Sequence, residues 1–108
     1  MTELKITAAE AEDIEGKLDV LAGDPELLAD YGLDRSQAES LIAAIPRKGG
    51  VWEIPFWAGS VVSEELEDRA TALRWIADDE RAAGMDNQAR ATRRLAQRLE
   101  KLAGQVSA

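Results

Sequence analysis

Apolar residues along this chain recur at three- and four-residue spacing, and glycine or proline closes most of these runs. That spacing lines one side of an α-helix, and Gly and Pro end helices, so the sequence is confined to short amphipathic helices. Thr7 and Glu10 form a capping box, each side chain satisfying the other's free backbone amide. Ile14, Leu18 and Leu21 then share one face, and Gly23 stands just past the helix end. Asp24-Pro25 restarts a helix at once, with Asp24 as cap and Pro25 in the first helical position. Leu27, Leu28 and Tyr31 give it an apolar side before Gly32. Asp34 with Gln37 caps a third helix, striped by Ala38, Leu41, Ile42 and Ile45 and stopped at Pro46.

Residues 47–62 break this rhythm and read as an irregular, Trp-rich connection. Arg47-Lys48-Gly49-Gly50 is a flexible turn, and Val51–Ile54 suits either irregular chain or a short extended segment. Pro55 argues against a central strand, because it has no amide to donate to a ladder. The next helix has two candidate starts, Pro55 and Ser63. The carboxylates at Glu64, Glu65, Glu67 and Asp68 favour Ser63, since acidic side chains suit a helix N-terminus. Val62, Leu66, Ala70, Leu73, Ile76 and Ala77 line one side of it, and Leu95, Leu99 and Leu102 line a last helix that Asp86 can cap. The short break at Gly84–Asp86 folds the two back as an antiparallel hairpin. The expected fold is all-α, about five helices in a single domain over 1–108. Three short helices occupy 1–46, the connection 47–62, and the C-terminal hairpin 63–104.

Leu, Ile, Val and Phe make up 24 of the 108 residues, enough with the abundant Ala for a folded, helical chain. Cysteine and histidine are both missing, which removes disulfides, thiolate metal sites, the commonest general base and the usual nucleophile–base pairs. Gly59-Ser60 makes no nucleophile elbow and Gly49-Gly50 no phosphate-binding loop. A carboxylate enzyme would draw on Asp78, Asp79 and Glu80, but consecutive helical residues diverge and do not face one metal. The expectation is no catalysis, no metal and no organic cofactor. No apolar run is long enough to span a membrane, and Met1-Thr2-Glu3-Leu4 lacks the features of a signal peptide, so a cytoplasmic location is expected.

Leu28-Ala29-Asp30-Tyr31-Gly32-Leu33, followed by a helix, resembles a helix-turn-helix, whose second helix enters the DNA major groove. Here that helix carries Asp34 and Glu39 against a lone Arg35, and phosphates would repel them. The same twenty or so residues are similar to the first two helices of ubiquitin-associated domains, with Tyr31-Gly32-Leu33 in place of a Met-Gly-Phe type of loop.

Charge and aromatics point to binding. The net charge of −8 divides into 19 acidic and 7 basic side chains over residues 1–80, and 2 acidic and 6 basic over 81–108. Arg47, Lys48, Trp52, Phe56 and Trp57 form the candidate partner-binding set, because Trp and Arg are enriched at interface hot spots. The competing reading packs those aromatics in the core. Arg90, Arg94, Arg98 and Lys101 share one face of the last helix with Arg93 beside them, the alternative set, suited to nucleic-acid phosphates. Its competitor is intramolecular, with the acidic preceding helix pairing to those cations. The favoured function is non-enzymatic protein binding, as an adaptor or inhibitor-like domain. The partner would be a basic or nucleic-acid-binding protein, met by a carboxylate surface that imitates nucleic acid, or a second copy of this chain. Nucleic-acid binding by the last helix is the alternative.

Overall fold

The computed structural model describes residues 1–107, which form five α-helices and a two-stranded antiparallel sheet. The order is β1 (Thr2–Ile6), α1 (Ala8–Ala22), α2 (Pro25–Asp30), α3 (Arg35–Ala43), β2 (Gly50–Ile54), a 3-10 turn (Phe56–Ala58), α4 (Gly59–Ala82) and α5 (Asp86–Ser107). The chain divides into two compact units, Met1–Val61 and the residues from Val62 onward. The mostly helical fold and the C-terminal helix pair are as the sequence implies, and the sheet is an addition to them.

In the first unit the caps form as the sequence requires. Thr7 Oγ1 accepts from the Glu10 amide at 3.1 Å, and Glu10 Oε1 accepts from the Thr7 amide at 2.9 Å. Asp34 and Gln37 make the same reciprocal pair at 2.8 and 3.0 Å, and Asp24 Oδ1 accepts from the Leu27 amide at 3.1 Å. Each cap satisfies amides that have no partner inside the helix. Gly32, at φ 71°, closes α2 as a Schellman turn, with the Leu33 amide donating to the Leu28 carbonyl at 2.9 Å. Ala11, Ile14, Leu18 and Leu21 of α1 are buried, as are Leu28, Ala38, Leu41 and Ile45.

Of the two readings of Val51–Ile54, irregular chain or a short extended segment, the second is the one formed, as part of a two-stranded sheet. Thr2 pairs with Ile54, Leu4 with Trp52 and Ile6 with Gly50. Side chains alternate across a strand, so Leu4, Ile6, Trp52 and Ile54 are buried while Glu3, Lys5, Val51 and Glu53 are exposed. Pro55 follows the last paired residue and removes nothing from the ladder. Gly49 (φ 88°) lets the chain enter β2, and a Cβ there would stand 3.2 Å from the Ala8 backbone nitrogen.

Neither expected start of the long helix is the observed one. The Ala58 amide donates to the Pro55 carbonyl at 3.0 Å, closing one 3-10 turn, and Gly59 is already helical at φ −56°, ψ −51°. No extended residue intervenes that could act as a cap, so α4 begins there. Ser63 lies inside the helix, and its hydroxyl donates 3.1 Å to the Ala103 carbonyl of α5.

That bond belongs to the second unit's antiparallel hairpin, along with Thr92 donating to Glu80 at 2.6 Å and Arg93 to Asp78 at 3.1 Å. Gly84 (φ 80°) turns the chain, with the Met85 amide reaching the Glu80 carbonyl at 2.8 Å. Asp86 is the first residue of α5 rather than its cap, since the Met85 carbonyl already accepts from Ala89. Val62, Leu66, Ala70, Leu73 and Ala77 are buried on α4, and Ala89, Ala96, Leu99, Leu102 and Ala103 on α5. Ile76, expected on this seam, is 42% exposed because it projects to one side of the line through Leu73 and Ala77. Burying a leucine contributes ~1.5–3 kcal/mol and an exposed ion pair ~0–1, so the apolar seam dominates the hairpin. No described helix is long and apolar enough to cross a membrane.

Candidate functional site

The structure separates the residues of the candidate partner-binding segment. Arg47 and Lys48 sit in the turn before β2, and Phe56 and Trp57 follow its far end, about five strand residues or ~17 Å away. The Arg47 guanidinium pairs with Glu15 of α1 at 3.2 Å, and Lys48 is exposed. Trp52, midway between, is fully buried on the inner side of the sheet, so its side chain belongs to the core and offers a partner nothing. A strand's alternation puts it there: its neighbours Val51 and Glu53 point outward. The Trp52 indole N–H finds no acceptor among the described residues.

Phe56 and Trp57 behave differently. Both lie in the 3-10 turn, with Phe56 93% and Trp57 43% exposed, while Ala58 beside them is buried. Pro55 at φ −60° and the Ala58–Pro55 hydrogen bond fix the backbone of this turn, so two large aromatic side chains stand in solvent on a constrained support.

The alternative, basic set also divides. Arg93 turns inward and pairs with Asp78 of α4. Arg90, Arg94, Arg98 and Lys101 are exposed on the side of α5 opposite buried Ala89, Ala96 and Ala103. Between the two helices, Arg93 of α5 pairs with Asp78 of α4, and Arg74 of α4 pairs with Glu100 of α5. Arg90 contacts Asn87 at 3.4 Å. Asp78, Asp79 and Glu80 diverge as their spacing requires. Asp78 goes to Arg93, Glu80 to Thr92, and Asp79 is exposed.

Sequence reasoning passed over Trp75. It is 71% exposed on α4, on the side away from the seam, next to the 42%-exposed Ile76. The signal available was its register: two positions beyond Leu73 and two before Ala77, it falls on the polar side of the helix with Asp68 and Asp79.

A shallow cleft of about 480 Å³ lies against Arg47, lined also by Ala8, Ala9, Glu12 and Glu15. Another, of about 330 Å³ at the turn of the hairpin, is lined by Arg81, Asp86, Ala89, Arg90 and Arg93. Among the described residues no group of three or more carboxylates is placed to hold a metal ion. These features define a small, mostly helical protein with exposed aromatic and charged surfaces. No family model matches the chain, nor does any curated protein or solved structure.

Proposed function

We propose that this chain is a non-enzymatic protein-binding module that docks through the aromatic turn Phe56–Trp57. The observation that carries this reading is the 93% exposure of Phe56 beside a 43%-exposed Trp57 on a constrained turn. Transfer of a side chain such as Phe from water into a pocket contributes ~1.5–3 kcal/mol, which this turn leaves unused within the chain. Aromatic anchors on rigid backbone lose little conformational freedom on binding, the usual basis of an interface hot spot. The partner is a protein with an apolar pocket and a basic rim, because residues 1–80 carry 19 acidic against 7 basic side chains.

The test is affinity capture from the source organism with wild-type chain and the Phe56→Ala/Trp57→Ala variant, each checked by circular dichroism. A specific protein retained by the wild type and lost by the folded variant supports the reading. Identical captured sets, or a variant that fails to fold, refute it.

A further inference from the structure

We propose that the open edge of β1 pairs antiparallel with β1 of a second copy of this chain, joining the two sheets into one of four strands. The proposal rests on the sheet and is independent of the aromatic turn.

Alternate residues of a strand point their amides and carbonyls to opposite edges, so each strand of a two-stranded sheet keeps one row of them unused. Among the described residues, no backbone hydrogen bond outside the ladder involves Thr2–Ile6 or Gly50–Ile54. Glu3 and Lys5 are exposed on the outer face of β1, and among the described residues neither side chain has an ion-pair or hydrogen-bond partner. Their neighbours in the ladder supply none. Glu3 stands opposite Glu53, a like charge, and Lys5 stands opposite Val51, which is 46% exposed.

Antiparallel pairing about a two-fold axis at Leu4 changes this. It sets Glu3 of each copy opposite Lys5 of the other, with Leu4 facing Leu4 and Thr2 facing Ile6 on the inner side. The charges favour this register alone. A slip of one residue would turn the buried faces of the two strands to opposite sides. A slip of two would set Glu3 against Glu3 or Lys5 against Lys5. The edge of β2 has no such symmetry: pairing about Trp52 would set Val51 against Glu53, and Pro55 follows the strand without an amide to donate. Pairing β1 with β2 of the copy would make at most one ion pair, Lys5 with Glu53.

Sedimentation equilibrium with the full chain tests this up to about 1 mM protein, because a short strand edge makes a weak contact. The wild type should dimerise and go no further, since the two-fold contact uses up the edge. Glu3→Lys and Lys5→Glu should each weaken dimerisation roughly tenfold or more, because each sets like charges opposite one another. Both should keep wild-type circular dichroism, as the side chains are exposed. Mixed together, the two variants should form a heterodimer, in which every pair across the contact is again opposite in charge. The double variant Glu3→Lys/Lys5→Glu should dimerise like the wild type, and so should Phe56→Ala/Trp57→Ala. A wild type that stays monomeric overturns the proposal, as do single variants that dimerise undiminished or a mixture without heterodimer. Loss of the dimer in the aromatic variant would also overturn it, by placing the contact at the aromatic turn.

Discussion

Replacing Trp52 with Phe should cost this protein almost nothing, although the side chain is fully buried. Indole to phenyl removes about 35 Å³, which at roughly 24 cal/mol per Å³ of residual cavity costs ~1 kcal/mol, and the lost transfer of the removed atoms brings the loss to ~1–2 kcal/mol. Against this stands the indole N–H, which is buried without an acceptor among the described residues. Leaving such a donor unsatisfied costs ~1–3 kcal/mol, and Phe removes it. The two effects offset each other, so Trp52→Phe should lie within ~1 kcal/mol of wild type or be slightly more stable. Trp52→Ala has no such compensation and should lose ~3–5 kcal/mol, a large part of a small domain's ~5–15. Urea unfolding followed by circular dichroism measures both, with the slope m compared to confirm that the same transition is observed. A loss above ~2 kcal/mol for the Phe variant at unchanged m would refute the reasoning, because the indole N–H would then be making a bond worth keeping.

The seam of the hairpin and its outward charges should respond in opposite ways. Leu99→Asp puts a charge at a fully buried position and should abolish cooperative unfolding of the second unit in thermal melts. Arg90→Gln, Arg94→Gln and Arg98→Gln together should shift the melting temperature of dilute protein in high salt by only a few degrees, since exposed charges contribute ~0–1 kcal/mol each. Gly49→Ala should destabilise by more than ~1 kcal/mol in urea titration, because alanine would be held at φ 88° with its Cβ 3.2 Å from the Ala8 nitrogen.

The helices were legible in the sequence to the extent that their ends are encoded locally. Thr7 with Glu10, Asp24 with Pro25, and Asp34 with Gln37 each act within one turn, and three consecutive helices start where those residues stand. The sheet is encoded differently. Leu4 and Ile6 alternate with Glu3 and Lys5, but a five-residue alternation becomes a strand only when a partner exists, and that partner begins at Gly50. Side-chain exposure in the Trp-rich segment followed from the same event, since pairing with β1 turned Trp52 inward and left Phe56 and Trp57 past the strand's end. The outward course of Arg90, Arg94, Arg98 and Lys101 was readable from spacing alone. The inward turn of Arg93 depends on Asp78 of the neighbouring helix, which no single-helix pattern contains.

The pairing of Ile6 with Gly50 also sets an order of events during synthesis. The α4–α5 hairpin closes through Ala83–Met85 and needs little chain entropy, whereas the sheet closes a loop that holds three helices. On the ribosome, β1 emerges before β2, and more than forty residues must follow it before its ladder can form. Through that interval Leu4 and Ile6 are apolar side chains on an unpaired strand edge, the kind of segment that seeds association between nascent chains. Glu3 and Lys5 alternate with them, and their charges keep the waiting strand from becoming a continuous apolar surface. The two residues that end on the outer face of the finished sheet thus serve the chain before the sheet exists, as gatekeepers of its first strand.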